Sequence, residues 1–240
     1  MKSSAIFIPA FIIAFLFVLL LPRLLRSQTA IVQILPPTSI TPSAPDGLAS
    51  LAGPAVSTLP ELKELAAPHL NGKASDAVAV SVAGRFSLPV VQQPKDQPAF
   101  VSSEADVLTQ FNLPRQYGTT GLLAHNFLSG KHFAEIRVGD IVSVVYGDGH
   151  AARYRVEKIE SYQALSPTSP YSQFIDLSAP QNRRLSSADL FNRIYTHPGK
   201  VVFQTCIAEG NEASWGRVFI NAAGIDQPFP LPTPVPFYNN

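Results

Sequence analysis

The single cysteine is the first residue in this chain that could perform chemistry. Cys206 is the only thiol in 240 residues. This excludes an intramolecular disulfide, a zinc site with two or more cysteines and a cysteine-ligated iron–sulfur cluster. It follows the hydrophobic run KVVFQT and precedes the polar run AEGNEAS, which predicts that it ends a β-strand. A thiol in this position is either a nucleophile or an inert buried side chain, and the sequence leaves both interpretations open.

A cysteine acts as a nucleophile in its thiolate form, which needs a nearby base or cation. Arg217 lies in the next predicted strand, SWGRVFI. If residues 201 to 207 and 215 to 220 pair as an antiparallel hairpin, Arg217 faces Cys206 across the ladder. Because side chains alternate along a strand, Arg217 lies on the same face as Phe219. We therefore expect a cation beside the thiol, and the alternative is a solvated arginine at a sheet edge.

The base would come from one of five histidines. His69 precedes the predicted domain, His150 lies in a hairpin turn and His197 precedes a proline. His125 differs because it closes the apolar run TTGLLA where the polar run NFLSGKH begins. The sequence thus predicts that His125 and Cys206 both lie at strand ends, where catalytic groups are often found.

Short β-strands are the main elements predicted to position these residues. Between residues 76 and 225, alternating or β-branched runs predict strands around Val78 to Val82, Arg85 to Val91, Gly118 to His125, Ile141 to Tyr146, Tyr154 to Ile159, Val201 to Ile207 and Trp215 to Ala222. So many short strands favour a closed or nearly closed barrel. The run from Gly147 to Gly149 predicts a hairpin turn, with Asp148 serving the turn rather than a metal.

Two short helices are predicted to interrupt the strands. The first spans Ser103 to Phe111, with Ser103 and Asp106 as a capping box, and the second spans Ser186 to Tyr195, capped by Ser186 or Ser187. Their apolar residues are expected to face the core: Leu108, Phe111, Leu190 and Ile194.

Composition divides the chain into segments and excludes some partners. Lys and Arg number 18 against 17 Asp and Glu, a net charge of +1 that argues against a nucleic-acid partner. Residues 5 to 22 are uninterruptedly apolar and predict a membrane helix in a segment 1–26, with a cleaved signal peptide as the alternative. We expect a Pro-, Ser-, Thr- and Ala-rich spacer over 27–75, a domain over 76–225 and a Pro-rich tail over 226–240.

The segments that carry these candidate residues resemble the sortase family. GLLAHNFLSGKHFAEIRVGDIVSVVYGDGHAARYRVEKIE is similar to the sortase stretch that begins with the catalytic histidine. KVVFQTC resembles its Thr-Cys strand end, and SWGRVFI resembles the strand with the catalytic arginine. The resemblance covers residues 76 to 223 in the family's order. Ala124 departs from it, since a glycine commonly precedes the histidine, and the loop between Cys206 and Arg217 lacks the aromatic residues of many members.

The resemblance implies an eight-stranded β-barrel and a cysteine transpeptidase. It implies that Cys206 forms a thioester with an LPxTG-type sorting signal, that His125 is general acid and base, and that Arg217 stabilises the oxyanion. By the same analogy Thr205 supports the substrate or oxyanion. The partners implied are substrate proteins with that signal, an amine acceptor from a cell-wall precursor or a pilin lysine, and membrane lipid through residues 5–22. No cofactor or metal ligand is identified. The expected location is the outer face of the cell membrane.

Two other functions are compatible with the same residues. One is an exported cysteine peptidase that uses Cys206 and His125 with water as the acceptor. Papain-like enzymes place cysteine before histidine, which is the reverse of the order here. The other is a tethered β-barrel binding module in which Cys206 is buried and inert.

Overall fold

A computed structural model describes residues 58–179, 181 and 183–225 of the chain. The predicted membrane segment 1–26, most of the predicted spacer and the tail 226–240 lie outside the described residues. Within the described part, no helix combines the length and the apolar character needed to cross a bilayer.

The fold is mainly β, with eight strands closed into a barrel as predicted. The strands are β1 (Ala77–Val82), β2 (Phe86–Gln92), β3 (Leu108–Phe111), β4 (Thr120–Leu123), β5 (Ile141–Tyr146), β6 (Ala151–Ala164), β7 (Phe174–Asp176), β8 (Arg184–Leu185), β9 (Lys200–Glu209) and β10 (Glu212–Gly224). The barrel follows the order β10, β9, β4, β3, β2, β1, β5, β6, and a pairing between β6 and β10 closes it. β7 and β8 extend from β6 outside the ring.

Alternating side chains give the barrel two apolar layers. The interior is filled by one face of each strand, including Val80, Leu122, Val144, Phe203 and Ile220. The opposite face of β3, β4, β9 and β10 forms a second cluster on the outside, with Phe111, Leu123, Val202, Cys206 and Phe219. We call this second surface the outer face. Side chains alternate along β9, so Val201 and Phe203 point into the barrel and Cys206 points to the outer face.

A helix covers part of the outer face. The helices are α1 (Leu59–Ala66), α2 (Asn112–Arg115) and α3 (Ser187–Tyr195), with short 3-10 turns at Ala67–His69 and Ser129–Glu135. Ser186 caps α3 by accepting the N–H of Asp189 at 3.1 Å, which confirms the predicted second helix. α3 buries Leu190 and Ile194 against the outer face.

The first predicted helix, Ser103 to Phe111, is wrong. Asp106 has a φ of 57°, which no right-handed helix accommodates, and residues 108 to 111 form β3. β3 pairs with β2 on one side and β4 on the other. Leu108 and Phe111 are buried as expected, although they belong to a strand and not to a helix. Their apolar pattern is compatible with both structures, and the hydrogen bonds to β2 and β4 stabilise the strand.

The predicted boundary at residue 76 lies too late in the chain. Thr58 and Glu61 form a capping box that starts α1, within the segment assigned to the spacer. Leu62 and Ala66 are buried against Val78 and Val145 of the barrel. The folded domain therefore includes residues from 58 onward, because α1 has an apolar face that the barrel covers.

Candidate active site

Cys206 and Arg217 lie directly opposite each other on paired strands. β9 and β10 form an antiparallel hairpin in which Arg217 pairs with Cys206 and Phe219 with Gln204. This confirms the predicted pairing. β9 does not end at Cys206, as the sequence suggested, but continues to Glu209. The buried part of β9 ends at Cys206, because Cys206 is buried whereas Ala208 is exposed.

His125 lies on the other side of Cys206, next to the parallel strand β4. β4 and β9 pair with Leu123 opposite Gln204, and the Ala124 N–H then donates to the Gln204 carbonyl at 3.2 Å. Continuing this register brings His125 to the level of Cys206. Neighbouring strands lie about 4.8 Å apart. Cys206 and Arg217 are on adjacent strands, and His125 follows the end of β4 by two residues on the other side of β9.

Arg217 is buried with part of its hydrogen-bonding capacity unused. Its side chain is only 1 % exposed. Nη1 donates to the carbonyls of Ser214 and Gly216 at 2.8 Å each, and Nη2 donates to the carbonyl of Pro167 at 3.2 Å. Nε has no partner within the described residues, and Arg217 forms no salt bridge with a described carboxylate. A buried guanidinium with an unused N–H is costly to folding, so this arrangement suits an electron-rich ligand.

The local environment keeps the cysteine and histidine uncharged at rest. Burial raises the pKa of the Cys206 thiol above 9.0, Arg217 works in the opposite direction and Glu212 adds to the rise. Burial lowers the pKa of His125 below 6.5, partly offset by a hydrogen bond to the backbone of Val101. Both shifts favour the neutral form of the side chain, the thiol for Cys206 and the uncharged imidazole for His125.

The residues that surround His125 were not identified from the sequence. Phe127 stacks on the imidazole with ring centroids 5.3 Å apart, although its own side chain is 65 % exposed. The carbonyl of His125 accepts the N–H groups of Leu128 and Gly130 at 3.0 and 2.9 Å. An aromatic residue in an otherwise polar loop after the histidine was the one available signal for Phe127.

Thr205, assigned from the resemblance to substrate or oxyanion support, precedes Cys206 on β9. Its side chain alternates with that of Cys206, and its hydroxyl donates to the carbonyl of Ala124 at 2.8 Å. The hydroxyl therefore ties β9 to the end of β4, next to His125. Gly130 packs so closely against Thr205 Oγ1 and the His125 carbonyl that a Cβ there would collide with both.

A cavity of about 420 Å³ opens beside Cys206 at this end of the barrel. Its lining includes Cys206, Thr205, Val218, Lys131 and Arg137. This volume falls in the range of ligand-binding sites. Across the described residues, no group of three or more histidine, cysteine or acidic side chains is arranged to hold a metal ion.

Comparisons with known proteins found similar solved structures but no match by sequence. No protein-family model and no curated protein matches the sequence. The fold is similar to solved sortase structures. Sortase A from Corynebacterium diphtheriae is 13% identical with a TM-score of 0.41, covering 78% of this chain and 75% of that one. Sortase C-1 from Actinomyces oris is 14% identical with a TM-score of 0.40, covering 62% and 73%. Clostridium perfringens sortase C, solved with its C-terminal cell wall sorting motif, is 14% identical with a TM-score of 0.36, covering 65% and 75%.

Proposed function

We propose that this chain is a sortase-like cysteine transpeptidase, anchored in the cell membrane through residues 5 to 22 with its barrel on the outer side. One observation carries the proposed chemistry: Cys206 pairs directly with a buried Arg217 whose Nε has no hydrogen-bond partner among the residues that the structure describes. A binding module with an inert cysteine has no need for a buried cation opposite it. The residue order and motifs that resemble sortases support the same reaction class.

In the proposed first step, Cys206 attacks the carbonyl carbon of the scissile bond in an LPxTG-type sorting signal. His125 takes the thiol proton as the carbon–sulfur bond forms. The carbonyl oxygen gains negative charge, and the unpartnered Nε of Arg217 donates to it. The tetrahedral intermediate then expels the amine of the leaving residue, which takes the proton from His125 and leaves a thioester on Cys206.

The second step reverses the proton transfers. An amine from a cell-wall precursor or a pilin lysine attacks the thioester carbon, His125 removes its proton, and the Cys206 thiolate leaves and is reprotonated. Because the imidazole titrates below the thiol, the rate should follow a broad bell in pH. The acid limb should lie on the acid side of the ordinary pKa of an imidazole and the alkaline limb on the alkaline side of that of a thiol.

Incubation of the protein with LPxTG-like peptides and amines tests the proposal, with the acyl-enzyme and exchange product read by mass. We expect a covalent adduct on Cys206 and a new amide with the added amine. Cys206→Ala replaces one small side chain by another and should fold normally without forming the adduct. Exchange by that variant would contradict the proposal. Hydrolysis alone at high amine concentration would indicate a peptidase, and alkylation of Cys206 only after unfolding would indicate a binding module.

A further inference from the structure

A second cavity lies at the end of the barrel opposite Cys206. Its volume is about 460 Å³, which is within the range of small-molecule binding sites. Thr120 at the start of β4 and Gly199, directly before β9, both line it. Cys206 lies further along β9, and at the rise of a strand it is roughly 20 Å from Gly199. The reaction proposed at Cys206 therefore does not use this cavity.

The floor of the cavity is buried and polar, whereas its rim is exposed. Elsewhere the barrel interior is filled by apolar side chains such as Val80, Leu122 and Phe203. Valine or phenylalanine could fill the floor without the cost of burying hydroxyl and amide groups. These groups are instead concentrated beneath the one opening at this end, where a polar ligand can contact them. The buried polar residues of the floor are Gln110, Thr119, Thr120, Tyr146 and Tyr154.

Three of the floor hydroxyls form a chain with unused capacity at both ends. Thr120 Oγ1 lies 3.3 Å from Tyr146 Oη, and Tyr146 Oη lies 2.7 Å from Tyr154 Oη. Three hydroxyls carry three protons, and two contacts use only two of them. These hydroxyls form no further hydrogen bond with the part of the chain that the structure describes. Whichever way the chain runs, one end keeps a proton to donate and the other keeps a lone pair to accept.

The charged side chains that line this cavity are already paired. The Arg115 guanidinium bonds to the buried Asp76 carboxylate, and the His150 ring lies against the carboxylate of Asp148. An anionic ligand would need a cation that is not already paired, and a cationic ligand would need an unpaired carboxylate. The charge balance therefore favours a neutral ligand.

The buried amide of Gln110 adds a donor to the same floor. Its oxygen accepts the N–H of Ala77 at 2.7 Å, and its nitrogen donates to the carbonyl of Ser75 at 3.0 Å. The nitrogen carries two N–H groups, so one is left for a ligand. Ala152 and Pro198 supply apolar surface on the walls.

We propose that this cavity is a binding site for a neutral saccharide. A sugar hydroxyl both donates and accepts, so it matches the two unused ends of the hydroxyl chain at Thr120 and Tyr154. The second N–H of Gln110 donates to another ring oxygen, and the C–H faces of the sugar pack on Ala152 and Pro198. This binding goes beyond the reaction proposed at Cys206 and does not depend on it.

Isothermal titration calorimetry of the full-length protein, in a detergent whose headgroup is not a sugar, tests the proposal. The neutral probes are glucose, N-acetylglucosamine and their β-1,4-linked disaccharides, and glucose 6-phosphate is the anionic probe. Tyr154→Phe and Thr120→Val each remove one end of the hydroxyl chain. Tyr171→Phe is the matched control, because it removes an exposed phenolic hydroxyl from the connection between β6 and β7 at the other end of the barrel. Thermal melting shows which variants are folded.

We expect saturable heat with a neutral sugar and weaker binding of glucose 6-phosphate. Tyr154→Phe and Thr120→Val should each weaken sugar binding by roughly two- to tenfold, the size of one neutral hydrogen bond. Tyr171→Phe should bind as the wild-type protein does. An LPxTG-like peptide should not displace the sugar, because the two sites lie at opposite ends of the barrel.

Absence of saturable heat with every neutral probe would overturn the inference. So would wild-type affinity in both Tyr154→Phe and Thr120→Val, because the sugar would then bind elsewhere. Tighter binding of glucose 6-phosphate than of any neutral sugar would show an anion site, and displacement by the peptide would place the sugar near Cys206. Where a variant fails to fold, Tyr146→Phe takes its place, since it cuts the same chain in the middle. None of these measurements depends on peptide transfer, so the proposed function can fail while the saccharide site is still decided.

Discussion

Replacement of Arg217 by lysine separates the charge of this side chain from its geometry. In the structure both N–H groups of Nη1 are used by the carbonyls of Ser214 and Gly216, and Nε has no hydrogen-bond partner in the described part of the chain. A lysine keeps a positive charge at the site but has no donor where Nε stands. Arg217→Lys therefore removes one oxyanion donor while it retains most of the electrostatic effect on Cys206.

The expected loss follows from that geometry. Removal of one oxyanion donor typically costs about 10²- to 10³-fold in rate, or roughly 2.7 to 4 kcal/mol in transition-state free energy. Because the charge is retained, the limbs of the pH profile should stay where they are in the wild-type protein. Arg217→Lys should lower the height of the bell without moving it.

The assay is the single-turnover rate of acyl-enzyme formation, measured by mass across the pH range at a temperature where thermal melting shows the variant folded. Arg155→Lys, at an exposed position on β6, is the matched control and should behave as the wild-type protein. A rate for Arg217→Lys close to that of the wild-type protein would refute the assigned role. A loss accompanied by a shift of the alkaline limb would show that the charge, not the donor, matters.

Three further predictions concern the surroundings of the site. Phe127→Ala should raise the pKa of His125 toward its ordinary value, because burial is what lowers it, and an NMR titration of the ring and the acid limb of the rate profile should move up together. Gly130→Ala should destabilise the fold by about 1 to 3 kcal/mol and reduce activity, since the new methyl collides with the His125 carbonyl, and chemical denaturation with rate measurement checks both. Hydrogen bonds from Lys158 and Arg193 outweigh burial and lower the pKa of Glu160, so its contribution to stability is present above its unfolded pKa and is lost as pH falls through the folded value. Chemical denaturation should show that Glu160→Gln has a free energy of unfolding about 2 kcal/mol lower than the wild-type protein at neutral pH. This free energy should also fall less steeply for the variant as the pH is lowered.

The sequence predicted the Cys206 and Arg217 pair because a hairpin between adjacent strands is a local structure. Once the two strands pair with a short turn, alternation and spacing determine which residues face each other. His125 could be selected only by its place at a strand end, since its parallel pairing with β9 joins residues some eighty positions apart. Thr205 was assigned by family analogy, and the sequence could not show that its hydroxyl is used by Ala124.

The misassigned helix at residues 103 to 111 shows where sequence reasoning fails. A serine followed by an acidic residue and two apolar residues three apart suits either a capped helix or a turn that leads into a short strand. The outcome depends on β2 and β4, which offer β3 a partner on each side.

The closing strand of the barrel gives the site a particular place in the folding of the chain. β10 is the last strand in the described sequence, it pairs with both β9 and β6, and it carries Arg217. Until β10 is in place the ring is open and the thiol has no cation opposite it. Such long-range pairing is slow relative to local structure, because chain entropy must be lost before the contacts form. A partly folded chain therefore exposes Cys206 without Arg217 opposite it, and the two residues come together in the same event that closes the barrel.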